Sequence, residues 1–159
     1  MGKVRPLREW VIKVSQDCNL ACDHCYVYEL RDTSWRHKPG VIAKESVAQL
    51  AERIAEHAQI HALPEISIVL HGREPPLAGK QRIEHLVPVL RSTLRGVSDC
   101  DISLQRNGTL LDPDWLDLFR QYGVPVGVSL DGDRTANDRH RRSGNGRSSY
   151  TAVLKGWNC

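Results

Sequence analysis

Four short apolar runs divide the chain and predict β-strands. The first, Glu9–Ser15, has a mostly apolar centre, and the second, residues 66–70, is rich in β-branched side chains. Residues 100–104 and 124–130 show the same pattern farther along the chain. Because the second run is short and rich in β-branched residues, we expect a strand that is buried on both faces.

Segments with helical periodicity separate these runs. In residues 44–62, apolar side chains recur at three- and four-residue steps, which predicts an amphipathic helix. Residues 81–94 repeat this period, and Pro88 inside them is expected to kink the helix or divide it. Asp112 followed by Pro113 predicts a third helix, because aspartate caps a helix N-terminus and proline fits its first turn.

The order of these elements indicates the fold class. Strand and helix alternate through about four βα units, after which come a loop and a last helix that starts at Ser148 or Ser149. This alternation predicts an α/β fold with a parallel sheet and right-handed crossovers. The length of 159 residues and the lack of a linker-like segment predict one domain, residues 1–159.

A polar motif follows each predicted strand. The four motifs are residues 18–25, 71–75, 105–108 and 129–132. Parallel strands all end at the same edge of a sheet, and α/β proteins place their active sites at that edge. We therefore expect the four motifs to converge on one site.

Composition narrows the class of protein. Hydrophobic residues make up 40% of the chain and charged residues 26%, as in ordinary globular proteins, which excludes a disordered chain. No apolar run is long enough to span a bilayer, and the N-terminal segment lacks the apolar stretch of a secretory signal. We therefore expect a cytoplasmic protein without a membrane partner.

Basic residues are concentrated after the fourth predicted strand, although the net charge is only +3. We expect a loop there, which carries Arg134, Arg139, His140, Arg141, Arg142 and Arg147. Such a loop is consistent with nucleic-acid binding, with docking of a small anion or with simple solvation. The lack of interleaved aromatic residues and the position after a strand argue against nucleic acid.

Three of the five cysteines lie close together, as Cys18, Cys22 and Cys25 with the spacing CxxxCxxC. In a chain without a secretory signal, clustered thiols are typical of metal or redox ligands. A four-iron cluster normally takes four protein ligands, so three thiolates leave one iron open. The amino and carboxylate groups of S-adenosylmethionine can chelate that iron, and the cluster can then reduce the sulfonium.

Two other interpretations of the three thiols remain open at this point. A structural zinc site would need a fourth ligand, for which His24, His37 and Cys100 are candidates. The thiols could also carry no metal.

The four motifs together resemble those of radical SAM enzymes, over residues 10–154. They stand in the order of that family, as the CxxxCxxC loop, His71-Gly72-Arg73-Glu74-Pro75, Gln105-Arg106-Asn107-Gly108 and Ser129-Leu130-Asp131-Gly132. The likeness is closest to the SPASM-containing peptide maturases and their sulfatase-maturase relatives, and among these to the cyclophane-forming maturases of ribosomal peptides.

The resemblance implies a fold, cofactors and partners. The fold would be a partial (βα) barrel, of which this chain holds about four units. Cys18, Cys22 and Cys25 would hold a [4Fe–4S] cluster that binds S-adenosylmethionine, and the enzyme would be an oxidoreductase acting on a ribosomally made peptide. A flavodoxin or ferredoxin would donate the electron.

The resemblance also implies a set of cofactor-binding residues, which are His24, Gly72, Arg73, Glu74, Asn107, Ser129 and Arg141. His24 would lie beside the adenine, and the backbone and glutamate of residues 72–75 would face the amino group of S-adenosylmethionine. Ser129 and Arg141 would contact its ribose or carboxylate. Without the resemblance, His24 and Glu74 would be interpreted as solvated loop residues.

Three residues depart from the family pattern at this site. Arg73 stands where a second glycine is usual, Pro76 where an apolar residue such as leucine is usual, and Arg106 where threonine is usual. We expect backbone strain at Arg73 and repulsion between both arginines and the cationic cofactor, which would weaken its binding.

Length is a further departure. Measured against the family, the chain ends just after the fourth βα unit, so we expect a truncated radical SAM core without its SPASM domain. The alternative function is a non-catalytic fragment that binds metal or interacts with a peptide.

Overall fold

A parallel four-stranded sheet organises the chain in a computed structural model, which describes residues 5–25, 29, 31 and 33–157. The strands are β1 (Glu9–Ser15), β2 (Glu65–Gly72), β3 (Asp99–Arg106) and β4 (Val126–Val128), and they lie in the order β1-β2-β3-β4. All three neighbouring pairs are parallel, so the sheet is open and the predicted α/β fold is confirmed.

Helices connect the strands in the predicted order. They are α1 (Lys44–Ile60), α2 (Lys80–Leu94), α3 (Pro113–Gln121), α4 (Arg134–His140) and α5 (Tyr150–Trp157), with short 3₁₀ helices at Ser34–His37 and Pro75–Ala78. The helix α2 runs through Pro88 without being divided. Among the described helices, none is long and apolar enough to cross a membrane.

The segment predicted as a basic loop is partly helical, which corrects the sequence interpretation. The helix α4 occupies Arg134–His140, and the side chain of Asp133 caps it by accepting a hydrogen bond from the Ala136 amide at 2.8 Å. An aspartate at this position satisfies one of the free N–H groups of the first turn. The basic side chains of this segment are therefore carried by a capped helix and the turn after it.

The fourth strand is shorter than predicted. The Val124 amide donates to Phe119 O at 2.9 Å and thereby closes α3, and Pro125 has no amide to donate. Strand pairing therefore starts only at Val126, opposite Leu104.

The two faces of the sheet differ in burial. Side chains that alternate along the strands are covered by α1 and α2 and form the core, among them Ile12, Ile66, Ile68, Leu70, Ile102 and Leu104. The residues between them, such as Val69, His71 and Gln105, are only half-buried. The expectation that β2 is buried on both faces is therefore wrong, because the second face has no helix against it among the described residues.

Candidate cofactor-binding site

A cavity of about 430 Å³ lies where the four strands end. Its volume falls within the range of small-molecule binding sites. Segments after all four strands contribute to it, as predicted from the parallel order. The residues that line it are Cys18, Asn19, Leu20, Ala21, Cys22, His24, Cys25, Glu29, His71, Gly72, Arg73, Gln105, Arg106, Asn107, Ser129, Arg141 and Gly144.

The three clustered cysteines line this cavity as free, half-buried thiols. The Leu20 amide and the Asn107 side-chain amide donate hydrogen bonds to Cys18 Sγ at 3.3 and 3.7 Å. Such N–H donors suit a thiolate that ligates a cluster, because they stabilise negative charge on sulfur. The residues present therefore fit a cluster held by three cysteines.

Burial controls the protonation of two of these thiols. It raises the pKa of Cys18, and it raises the pKa of Cys22 to about 11, where the nearby Arg141 only partly opposes it. Both groups are therefore neutral thiols at pH 7 unless a metal binds. A bound metal ion would deprotonate them.

Cys100 is excluded as a fourth ligand by its place in the sheet. It lies near the start of β3, opposite Ile66, and so at the far edge from the cavity. His37 is not among the cavity-lining residues, whereas His24 is. Cys159 lies outside the described residues.

A network of amide and hydroxyl groups fixes the cysteine loop to the end of β3. The Asn107 side chain donates to Asn19 Oδ1 at 2.9 Å and accepts from the amide of Thr109 at 2.9 Å. Asn19 also donates to Thr109 Oγ1 at 2.7 Å. The sequence motifs identified Asn107 as a site residue but not Asn19 or Thr109. The only indication for these two residues was that they stand inside or next to a motif.

A glycine is required at position 72 because β1 and β2 approach each other closely there. Its φ of +129° is one that side chains rarely adopt, and an added Cβ would clash with the carbonyl oxygen of Ser15 on β1. The backbone of residues 72–73 is thus held against β1, and the Arg73 amide donates to Ser15 O at 3.1 Å.

Arg73 does not carry the strain predicted for it. Ala62 is the one non-glycine residue with positive φ in the described part of the chain, so Arg73 has an ordinary backbone conformation. Its guanidinium lies 4.7 Å from the centre of the Trp35 ring, a distance suited to a cation–π contact. Pro76 is also accommodated, since Pro75 and Pro76 stand in the first turn of a 3₁₀ helix, where no amide hydrogen is needed.

Glu74 and Arg106 form a buried ion pair. Both side chains are 0% exposed, and Glu74 Oε1 lies 3.3 Å from Arg106 Nη2. The other carboxylate oxygen accepts a hydrogen bond from the Asn107 amide at 2.9 Å. Burial raises the pKa of Glu74 and lowers that of Arg106, and in each case the partner's charge opposes the shift.

This ion pair corrects two expectations. Of the cofactor-binding residues expected from the resemblance, Glu74 alone does not line the cavity, because its carboxylate turns toward Arg106. The charge of Arg106 is balanced by Glu74, so its side chain does not present an unpaired cation to the cavity.

The remaining predicted residues, Ser129, Arg141 and His24, lie next to polar side chains of neighbouring segments. Ser129 Oγ accepts a hydrogen bond from Gln105 at 2.8 Å. Asp131 lies between Arg141 and His24. Its Oδ1 atom is 2.9 Å from Arg141 Nε, and its Oδ2 atom is 3.7 Å from His24 Nε2. Gln105 and Asp131 were within the predicted motifs but had not been assigned a role.

The fold and the site together define an α/β protein with a three-cysteine cofactor cavity at the carboxyl edge of its sheet. The chain belongs to the Radical SAM superfamily, whose family model matches residues 12–158.

Among similar curated proteins are two serine-type anaerobic sulfatase-maturating enzymes. The one from Klebsiella aerogenes is 37% identical over 142 residues, 87% of this chain. The one from Bacteroides thetaiotaomicron is 29% identical over 154 residues, 97% of this chain. The chain spans only 33% and 36% of the length of these two relatives.

Solved structures show the same fold. Native anSMEcpe with bound AdoMet superimposes with a TM-score of 0.79 at 26% identity, and the match covers 96% of this chain and 40% of that one. Native anSMEcpe with bound AdoMet and the Cp18Cys peptide gives a TM-score of 0.77 at 27% identity, with 97% and 39% covered.

Proposed function

We propose that this chain provides the cofactor-binding part of a radical SAM enzyme that modifies a peptide. The observation that carries the proposal is the convergence of three half-buried thiols on one cavity, with Cys100 at the opposite edge of the sheet. Three thiols leave one iron of a four-iron cluster open, as cleavage of S-adenosylmethionine requires.

Cys18, Cys22 and Cys25 would hold the [4Fe–4S] cluster, and the rest of the cavity would hold S-adenosylmethionine. The cluster, when bound, supplies the single electron that cleaves this cofactor and so begins radical chemistry. The cofactor's partners would be His24, Gly72, Arg73, Asn107, Ser129 and Arg141, all of which line the cavity. Glu74 would contribute only if its carboxylate left Arg106.

Residues of the chain itself hold the cysteine loop in place and shield part of that loop from water. Asn19, Asn107 and Thr109 fix the loop to β3 before any metal arrives. Because burial raises the pKa of Cys18 and Cys22, loading with iron must release their protons. Loading is therefore expected to improve as the pH rises from 7 toward 9.

The substrate and partners are proposed from the relatives. Sulfatase-maturating enzymes are among the similar proteins, and one similar structure carries a peptide together with AdoMet. We assign a ribosomally made peptide as the substrate, a flavodoxin or ferredoxin as the electron donor, and the cytoplasm as the location. The peptide would approach the half-buried face of the sheet, on which His71 and Gln105 line the cavity.

One observation favours a second, non-catalytic function. The ion pair with Arg106 keeps the Glu74 carboxylate out of the cavity, although the family resemblance would direct it to the cofactor's amino group. A chain that binds the cluster but holds S-adenosylmethionine weakly would act as a metal-binding or peptide-interaction module.

Reconstitution distinguishes a [4Fe–4S] cluster from a zinc site and from thiols that carry no metal. The protein is incubated anaerobically with iron and sulfide, and iron, sulfide and zinc are then quantified per chain. We expect about four irons in the unmodified chain and in Cys100→Ala, and loss of the cluster in Cys22→Ala. A colourless protein that takes up no iron and loses a bound zinc in Cys22→Ala would contradict the proposal, because the thiols would then hold zinc.

A further inference from the structure

A group of three potential metal ligands includes two residues of the cysteine loop but none of its thiols. It consists of Asp23, His24 and His140, called here the histidine–aspartate cluster. One ligand atom from each residue lies within 4.8 Å of the other two. The His140 Nδ1 atom is 2.8 Å from Asp23 Oδ1, and His24 Nδ1 is 3.6 Å from the same oxygen.

The cluster joins two separate parts of the fold. Asp23 and His24 belong to the cysteine loop, whereas His140 is the last residue of α4. A backbone hydrogen bond from the Ala21 amide to Arg142 O at 2.7 Å already holds these two segments together. The three ligand groups are therefore brought close by the fold and not only by the flexibility of their side chains.

A neighbouring carboxylate lies close to one of the imidazoles. Asp131 Oδ2 lies 3.7 Å from His24 Nε2, on the opposite side of the ring from the nitrogen that faces Asp23. Histidines that ligate metals commonly have a carboxylate at their other ring nitrogen, which fixes the ring and makes it a better donor. Asp131 is itself held by Arg141 at 2.9 Å.

We propose that the histidine–aspartate cluster binds a zinc-like divalent ion. Two imidazoles and one carboxylate are a common ligand set for zinc, and solvent would supply the fourth ligand because all three side chains are exposed. Calcium and magnesium are disfavoured because they prefer oxygen ligands. The bound ion would join the cysteine loop, which lines the cavity, to α4, which is directly followed by the cavity-lining Arg141.

The test is a zinc titration in which the thiols cannot take part. The probe is Zn²⁺ alone, added to the full chain carrying Cys18→Ala, Cys22→Ala and Cys25→Ala, and binding is measured by calorimetry. We expect one zinc per chain, and an affinity reduced at least roughly tenfold by His140→Ala. Cobalt substituted for zinc should give a spectrum without a thiolate charge-transfer band.

The chain offers a matched control for surface histidines. His57 lies in the last turn of α1 and His61 directly follows the helix, with ring centres 4.4 Å apart, and such a pair can also bind zinc. We expect His57→Ala to leave the titration unchanged. If His57→Ala removes the binding and His140→Ala does not, the proposal is wrong.

The unmodified chain provides a second measurement that does not depend on the triple cysteine variant being folded. Any zinc held by the thiols is common to both proteins, so we expect His140→Ala to lower the total zinc by about one per chain. An equal zinc content in His140→Ala and the unmodified chain, with circular dichroism showing both folded, would overturn the proposal.

Discussion

The helix-covered face of the sheet and its carboxyl edge are built from the same strands, but their side chains are buried against different kinds of partner. Under α1 and α2, Ile68, Leu70 and Leu104 are almost fully buried and need only packing partners. The next position on this face, two residues farther along, is Gly72 in β2 and Arg106 in β3. A side-chain period of two places Arg106 on the core side, which explains why it is buried, whereas Gln105 lies on the half-buried face; both residues contribute to the cavity lining.

The comparison shows that burial at the cavity edge depends on specific partners. An apolar residue of the core can be replaced by another of similar volume at small cost, because its contacts are not directional. Arg106 is tolerated only because Glu74 lies 3.3 Å away. The edge is thus expected to respond more sharply than the core to a change of a single charge.

The largest effect is expected from breaking this ion pair. Arg106→Met leaves the Glu74 carboxylate buried without a cation, which should lower the free energy of unfolding by about 3–5 kcal/mol. The double variant Glu74→Gln with Arg106→Met should recover most of this loss. Urea unfolding of the metal-free protein measures both, and a cost below about 1 kcal/mol for the single variant would show that the pair does not stabilise the edge.

Gly72→Ala is expected to have the next largest effect. The new Cβ would overlap the backbone of Ser15 at a φ of +129°, with an expected loss of roughly 1–3 kcal/mol in unfolding free energy. Gly79→Ala is the control, because Gly79 also has positive φ but has nothing within 4 Å of an added Cβ. Equal losses in the two variants would mean that the approach of β1 to β2 is not the reason for the glycine.

A smaller effect is expected away from the cavity, at α3. The Asp112 side chain accepts a hydrogen bond from the Trp115 amide at 2.8 Å, and Asp112→Ala should cost about 1 kcal/mol through loss of this cap. Cluster content after reconstitution should not change, since Asp112 does not line the cavity. A loss of iron in this variant would show that α3 and the cavity are coupled, which the structure does not indicate.

The smallest effect is expected at Arg73. Since its backbone is unstrained and its guanidinium lies over Trp35, Arg73→Gly should change the affinity for S-adenosylmethionine by less than about tenfold, or roughly 1.4 kcal/mol. Equilibrium dialysis of reconstituted protein, with cluster content matched, gives this affinity. A gain of a hundredfold would restore the expectation that Arg73 weakens binding of the cofactor.

Local signals in the sequence predicted much of the fold. The limits of β1, the Asp112 cap and the parallel order all follow from short-range patterns, and the structure confirms them. The helix α4 escaped this reasoning because its seven residues include a single apolar side chain, Ala136, and so have no hydrophobic period. The capping residue Asp133 was the available signal.

The site was predictable in position but not in its contacts. Three thiols and four motifs after parallel strands placed the cavity correctly. The pairing of Glu74 with Arg106, and of Asp131 with His24 and Arg141, depends on tertiary distances that no spacing in the sequence encodes. The period of two along β3 could, however, have indicated that Arg106 points toward the core.

The central claim is that the carboxyl edge of this sheet holds a cluster with an open iron that binds S-adenosylmethionine. Electron paramagnetic resonance of the reconstituted, reduced protein tests it directly, with spectra recorded before and after the cofactor is added. The account predicts a cluster signal that changes shape when S-adenosylmethionine binds, and no cluster signal in Cys22→Ala. A spectrum that is identical with and without saturating cofactor would contradict the claim.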